Sequence, residues 1–138
     1  MSKRTTAMGD WTIGLDLSDK TTEACVLDGA GEVIERFRVG TTAAALERAL
    51  ARFEPSRVVL EVGTHSPWVS RLVTRLGHDA VVANPRRVRL IAENDSKRDD
   101  FDAELLARLG RIDPNLLAPI VHRGEQAQRD LVLHCRRT

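Results

Sequence analysis

No apolar stretch in this chain is long enough to cross a bilayer, so no membrane helix is expected. The opening "MSKRTTAMGD" carries no hydrophobic segment of the kind a secretory leader needs, which makes a cytoplasmic protein the expectation. Cysteine is scarce: Cys25 and Cys135 stand far apart and match no metal-ligand spacing, and Cys25 reads as a small core residue. The histidines His65, His78, His122 and His134 likewise lack metal-type spacing and read as structural or surface residues. Charge of one sign is missing too. Lys and Arg number 21 against 20 Asp and Glu, a net +1, so affinity for a polyanion has to come from local clusters. Internal repeats and low-complexity segments are absent.

What remains is a 138-residue chain, enough for one domain with a real core. "DWTIGLDLS" is apolar on both faces, the pattern of a central strand. "TEACVLDGAGEVIERFRVG" reads as a hairpin turning at Asp28–Gly31. "TTAAALERALARF" predicts a helix opened by threonine, "SRVVLEVG" a strand ending at Glu61 and Gly63, and "SPWVSRLVTRLG" a helix with Gly77 as its C-cap. Trp68 in that helix is expected to pack against the sheet. "HDAVVAN" predicts a strand stopped by Pro85, followed by helices over about 86–93 and 97–110. The order β-β-β-α-β-α-β-α-α is that of a ribonuclease H-like α/β mixed sheet flanked by helices. A doubly wound Rossmann sheet would alternate from the start.

Carboxylates occupy unusual places in this pattern. Asp16 falls mid-way along the first strand, where aspartate is disfavoured. Glu61 stands at the carboxyl end of the fourth strand, where sites of open α/β sheets gather. In "SKRDDFDAELLARL", a wheel at 100° per residue puts Leu105, Leu106 and Leu109 on one apolar face. Asp102 lies near the middle of that face and Asp99 at its edge, with Asp100, Glu104, Arg108 and Arg111 opposite. Ser96 and Asp99 form a loose capping box, which accounts for Asp99 and Asp100 as helix-start residues but leaves Asp102 unexplained. Four converging carboxylates repel unless a hard divalent cation sits among them, and Mg²⁺ suits an all-oxygen site beside phosphates. Two such ions activate the attacking oxygen and stabilise the departing one in phosphodiester transfer. Basic residues Arg86, Arg87, Arg89, Lys97 and Arg98 flank these segments and are candidate phosphate contacts.

The segments "IGLDLSDKTTEACVLDGAGEV", "VVLEVGTHSPWVSRLV", "LGHDAVVANPRRVRLI", "KRDDFDAELLARLGRIDPNLLAPI" and "HRGEQAQ" resemble, in order, the amino-terminal part of the IS110 family of insertion-sequence transposases. These are DEDD transposases with a RuvC-like domain. The resemblance implies that the four acids are Asp16 of "GLD", Glu61 of "LEVG", and Asp99 and Asp102 of "DDFDA", holding Mg²⁺ or Mn²⁺ as catalytic and metal-ligating residues. It also implies DNA as substrate, a structured guide RNA and a homo-oligomer. Two positions depart from the family pattern: Arg98 replaces a small hydroxyl residue, and Glu61-Val62-Gly63-Thr64 replaces Glu-x-Thr/Ser-Gly. The family carries a second catalytic domain with a nucleophilic serine beyond a helical connector. No serine here fits that role, so a chain that is incomplete for recombination alone is expected.

The expected division is a flexible tail at 1–9, a RuvC-like domain at 10–112, and a linker with the start of a connector helix at 113–138. Two other readings stand beside the transposase. One is a non-catalytic nucleic-acid-binding or interaction remnant. The other is an actin-like or sugar-kinase-like phosphate-binding domain, since "IGLDLSDKTTEACVLDG" resembles its first phosphate loop, although no second glycine-rich hairpin follows.

Overall fold

The computed structural model describes residues 10–92 and 102–122, the side chains of Ala92 and Asp102 excepted. The predicted element order is observed: β1 (Thr12–Leu17), β2 (Thr21–Leu27), β3 (Val33–Gly40), α1 (Ala43–Leu50), β4 (Arg57–Glu61), α2 (Ser66–Arg75), β5 (Asp79–Ala83), α3 (Pro85–Ala92) and α4 (Asp102–Ile112). A 3₁₀ turn over Pro114–Leu117 follows. The capping box at Ser96 and Asp99, and with it Asp100, Lys97 and Arg98, lies outside the described residues. The five strands form one sheet in the order β3-β2-β1-β4-β5. β1 pairs antiparallel with β2 and parallel with β4, which makes it the strand where the sheet changes sense.

Local chemistry sets the element ends. Asp28 Oδ1 accepts the amides of Ala30 (2.9 Å) and Glu32 (3.0 Å), and Gly31 takes φ of +86° to complete the hairpin turn. Thr42 caps α1 by accepting from Ala45 N. Gly77 ends α2 at φ +96°, as the C-cap reading requires.

Strand alternation divides the core in two. Ile13, Leu15, Val58 and Leu60 face α1 and α2, where Leu46, Leu50, Val69 and Val73 are fully buried. Trp68 packs on this side as expected, half-buried. On the opposite face Val59 meets Leu106 and Leu117, while Cys25 and Leu27 meet Ala103 and Ala107. Cys25 is indeed core; burial pushes its thiol pKa up, which keeps the sulfur protonated and unreactive.

The buried stripe of α4 differs from the predicted one. Ala103, Leu106, Ala107 and Gly110 are buried, whereas Leu105 and Leu109 are only half-buried. Small residues at these positions let the helix backbone settle onto the sheet. A Cβ at Gly14 would overlap the Ala103 carbonyl oxygen and lie 2.8 Å from Ala107 N; one at Gly110 would overlap Val59. A face chosen by hydrophobicity alone selects the leucines, but close approach selects alanine and glycine.

The outer face of α4 is pinned to the hairpin. Glu104 accepts from Arg36 of β3 (2.6 Å) and from Arg108 (2.7 Å), while Arg108 and Arg111 reach the carbonyls of Gly31 and Gly29. The hydrogen bonds from Arg36 and then Arg108 hold the Glu104 carboxyl below the usual glutamate range.

Two stability predictions follow from this packing. Gly14→Ala should destabilise the chain by about 1–3 kcal/mol or more in urea unfolding, whereas Gly63→Ala, which meets nothing within 4 Å, should stay within about 0.5 kcal/mol. Because the folded pKa of Glu104 is depressed, its contribution is present above the unfolded glutamate value and is lost as pH falls through the folded one. Thermal melts from pH 7 down through the acid range should therefore fall less steeply for Glu104→Gln. At neutral pH that variant should cost no more than about 1 kcal/mol, the ion pair being partly exposed.

Candidate functional site

The site begins with two strand ends. In the β1–β4 ladder Thr12 pairs with Arg57 and Gly14 with Val59, where the pairing ends; Asp16 and Glu61 each lie two residues further along their strand. Alternation puts Asp16 on the face of Gly14 and Glu61 on the face of Val59, so both acids belong to the α4 side of the sheet. Asp16 is the penultimate residue of β1 rather than a mid-strand residue, which resolves the propensity objection: its backbone is at the rim.

Both carboxylates line one small cleft of about 150 Å³, together with Leu106 of α4 and the loop Val62–His65. α4 begins at Asp102, one turn before Leu106. The helix therefore starts at the cleft and runs back over the sheet, since Ala103 meets Gly14 and the Gly110 carbonyl accepts from Arg57 at the opening of β4 (3.0 Å). Across the antiparallel pair Asp16 stands opposite Glu23, whose charge is taken up by Arg38 at 2.9 Å.

The loop after β4 is held by its own hydrogen bonds. Val62 N donates to Ala83 O, Gly63 N donates to Ser66 Oγ (3.0 Å), and Ser66 Oγ donates to Gly63 O (2.9 Å). The fully buried Ser66 also shares a 2.8 Å hydrogen bond with His122 Nε2. His65 stands at the N-terminus of α2, its Nε2 3.0 Å from Asp19 Oδ1 and its Nδ1 3.1 Å from Trp68 Nε1.

Of the sequence-predicted residues, Asp16 and Glu61 line one cleft, and α4 starts at Asp102, one turn before the cleft-lining Leu106. Asp99, Lys97 and Arg98 lie outside the described residues. Arg86, Arg87 and Arg89 are exposed on α3, outside the cleft but close by in the chain: Glu61 pairs with Ala83, and α3 begins two residues later. With Asn84 and Leu90 they rim an open depression of about 520 Å³. Among the described residues no three His, Cys, Asp or Glu side chains cluster to hold a metal.

The cleft is also lined by Asp19 and His65, which the sequence does not mark as neighbours of the acids. The only signal for His65 is its place four residues after Glu61 in "LEVGTHS", and histidine there is indistinguishable from a cap residue until the cleft is seen. For His78 the structural reading holds: its Nδ1 accepts from Ser56 N and its Nε2 bonds Leu50 O in the core.

The fold is similar to that of Thermus thermophilus RuvC, with a TM-score of 0.52 and 15% identity over 75% of this chain and 96% of that one. It is similar also to T. thermophilus RuvC in complex with a Holliday junction substrate, with a TM-score of 0.51 and 16% identity over 73% of this chain and 97% of that one. At such identities the likeness establishes the ribonuclease H-like, RuvC-type fold. No curated protein sequence matches the chain. Among the described residues no helix is long and apolar enough to cross a membrane. The family model for DEDD transposases of the IS110 type matches residues 13–138. The match spans nearly the whole chain, with Asp16, Glu61 and Asp102 inside it, and the chain belongs to the IS110 family of DEDD transposases as its RuvC-like, catalytic-type domain.

Proposed function

We propose that this domain performs divalent-metal-dependent phosphodiester cleavage and strand transfer on DNA, with Asp16, Glu61, Asp99 and Asp102 as its metal ligands. The observation that carries the reading is the meeting of Asp16 and Glu61 at the ends of adjacent parallel strands, in a cleft closed by the helix that Asp102 opens. The donor set fits Mg²⁺ or Mn²⁺, being all carboxylate oxygen with no sulfur or imidazole required. Bound there, the ion would polarise a phosphodiester and lower the pKa of an attacking oxygen.

The chain's own residues do the rest. Strands β1 and β4 fix two carboxylates at one level, and the tight α4–β1 contact fixes where the helix begins relative to them. Leu106 excludes water from one wall, which strengthens every charge interaction inside. Arg86, Arg87 and Arg89 supply a local positive rim on a chain whose net charge is near zero. A structured guide RNA and self-association complete this reading as features of the family.

Calorimetric titration of Mg²⁺ or Mn²⁺ tests the ligand set. Asp102→Asn should weaken binding by at least about tenfold, as ligand loss exceeds the cost of losing an outer partner, while Asp100→Asn should bind as the parent does. Equal behaviour of the two variants would reduce the acidic run to a helix start and favour a binding module without turnover. The rim has a separate test in the salt dependence of DNA binding. Replacing Arg86, Arg87 and Arg89 by glutamine should flatten the slope of log K against log salt by roughly 0.9 per lost phosphate contact. An unchanged slope would remove α3 from the interface.

A further inference from the structure

The cleft contains a second chemistry besides its carboxylates. Trp68 Nε1 carries a hydrogen and can only donate, so His65 Nδ1, 3.1 Å away, must accept. A neutral His65 therefore carries its proton on Nε2 and donates it to Asp19 Oδ1 at 3.0 Å. The two rings meet edge to face, centroids 5.9 Å apart and planes at 90°, which fixes the imidazole from one side. The partners differ sharply in freedom. The His65 side chain is 24% exposed and anchored by Trp68, whereas the Asp19 side chain is 90% exposed on the β1–β2 turn. Both residues line the cleft that holds Asp16 and Glu61.

From this arrangement we infer that His65 is a hydrogen-bond donor to a substrate phosphate oxygen in the cleft, and that Asp19 occupies that donor until nucleic acid displaces it. The inference rests on the proposal that DNA enters this cleft. An anionic oxygen already sits where the donor points, and it belongs to the most mobile kind of ligand, an exposed side chain on a turn. Trp68 matters because it denies the proton to Nδ1. Without it the imidazole can place its hydrogen on either nitrogen and can turn its lone pair toward the phosphate, which repels. Trp68 is thus a positioning residue for His65, and Asp19 is a competitor of the substrate. The arrangement also separates two jobs in the cleft: carboxylates for a cation, and a neutral donor for an anion that the carboxylates alone would repel.

The test uses the full chain and a fluorescently labelled short DNA duplex, with anisotropy read in Ca²⁺ and again in EDTA. His65→Leu should weaken binding by about tenfold, the scale of a hydrogen bond to a charged group. His65→Gln, whose amide nitrogen can stand near the place of Nε2, should recover most of that loss. Asp19→Ala should tighten binding in the parent and do so less in the His65→Leu background, because the competition needs the donor. Nitrogen-15 NMR of the histidine side chains adds a readout that mere structural damage would not produce. His65 should show an unprotonated Nδ1, mixed tautomers in Trp68→Phe, and a shifted Nε2 when the duplex is added. The inference is overturned if His65→Leu binds like the parent, if Asp19→Ala tightens binding equally in both backgrounds, or if Nε2 does not respond to DNA. Mg²⁺ calorimetry on the same variants keeps the two readings apart. Metal binding lost in Asp16→Asn but kept in His65→Leu supports both; no metal binding in the parent, with His65-dependent DNA binding intact, sinks the metal reading alone. A parent chain that binds no duplex sinks both.

Discussion

The contact between the α4 backbone and β1 governs where everything else in this domain can stand. A helix normally rides on a sheet at the height of its side chains. Here Gly14 has none to offer, and Ala103, Ala107 and Gly110 offer little, so the helix lies against the strand itself. The height of the helix above the sheet in turn fixes how far Asp102, at its first turn, stands from the ends of β1 and β4. A bulkier residue at any of these positions would raise the helix and open the cleft at its charged end. Close packing is therefore part of the site's geometry, because interiors are too dense to absorb such a shift elsewhere.

Around this contact the electrostatics are arranged on two levels. Glu104, Arg108 and Arg111 on the outer side of α4 are spent on the hairpin, through Arg36 and the carbonyls of Gly29 and Gly31. Glu23, opposite Asp16, is matched by Arg38. Glu23 and Glu104 thus have cations of their own, and Asp16 and Glu61 line one cleft. Such placement of single charges, rather than the net charge of the chain, sets the local field of the domain.

Much of the fold was legible in the sequence because its signals are local. Thr42, Gly77, Pro85 and the Asp28–Gly31 turn punctuate the chain through backbone chemistry that needs no tertiary partner. The acids Asp16 and Glu61 were legible for a different reason: aspartate in an apolar strand and glutamate at a strand end break the local pattern. What was not legible depends on distance in space. Hydrophobicity alone puts the stripe of α4 on Leu105, Leu106 and Leu109, because it does not reveal how close two backbones come. His65 and Asp19 gave no signal, since a turn aspartate and a cap histidine are ordinary until both line one cleft. Asp16 reads as mid-strand in the sequence because Leu15 and Leu17 flank it, whereas β1 ends at Leu17 and its pairing with β4 stops at Gly14.

The change of sense at β1 has a consequence for the order of assembly. Its antiparallel partner β2 follows immediately in the chain, so that ladder can close across a tight turn. The parallel partner β4 arrives only after β3 and α1, and α4 arrives later still. Loop closure costs more entropy as the loop lengthens, so pairings between distant segments come at a greater initial loss than the hairpin does. Asp16 therefore spends the early part of folding beside a strand whose acid has its own arginine, far from Glu61. The two carboxylates are brought level only when β4 docks, by which time Ile13, Leu15, Val58 and Leu60 close together on the other face of the sheet. The cleft is thus a late feature of assembly, and the burial of those four side chains arrives in the same step.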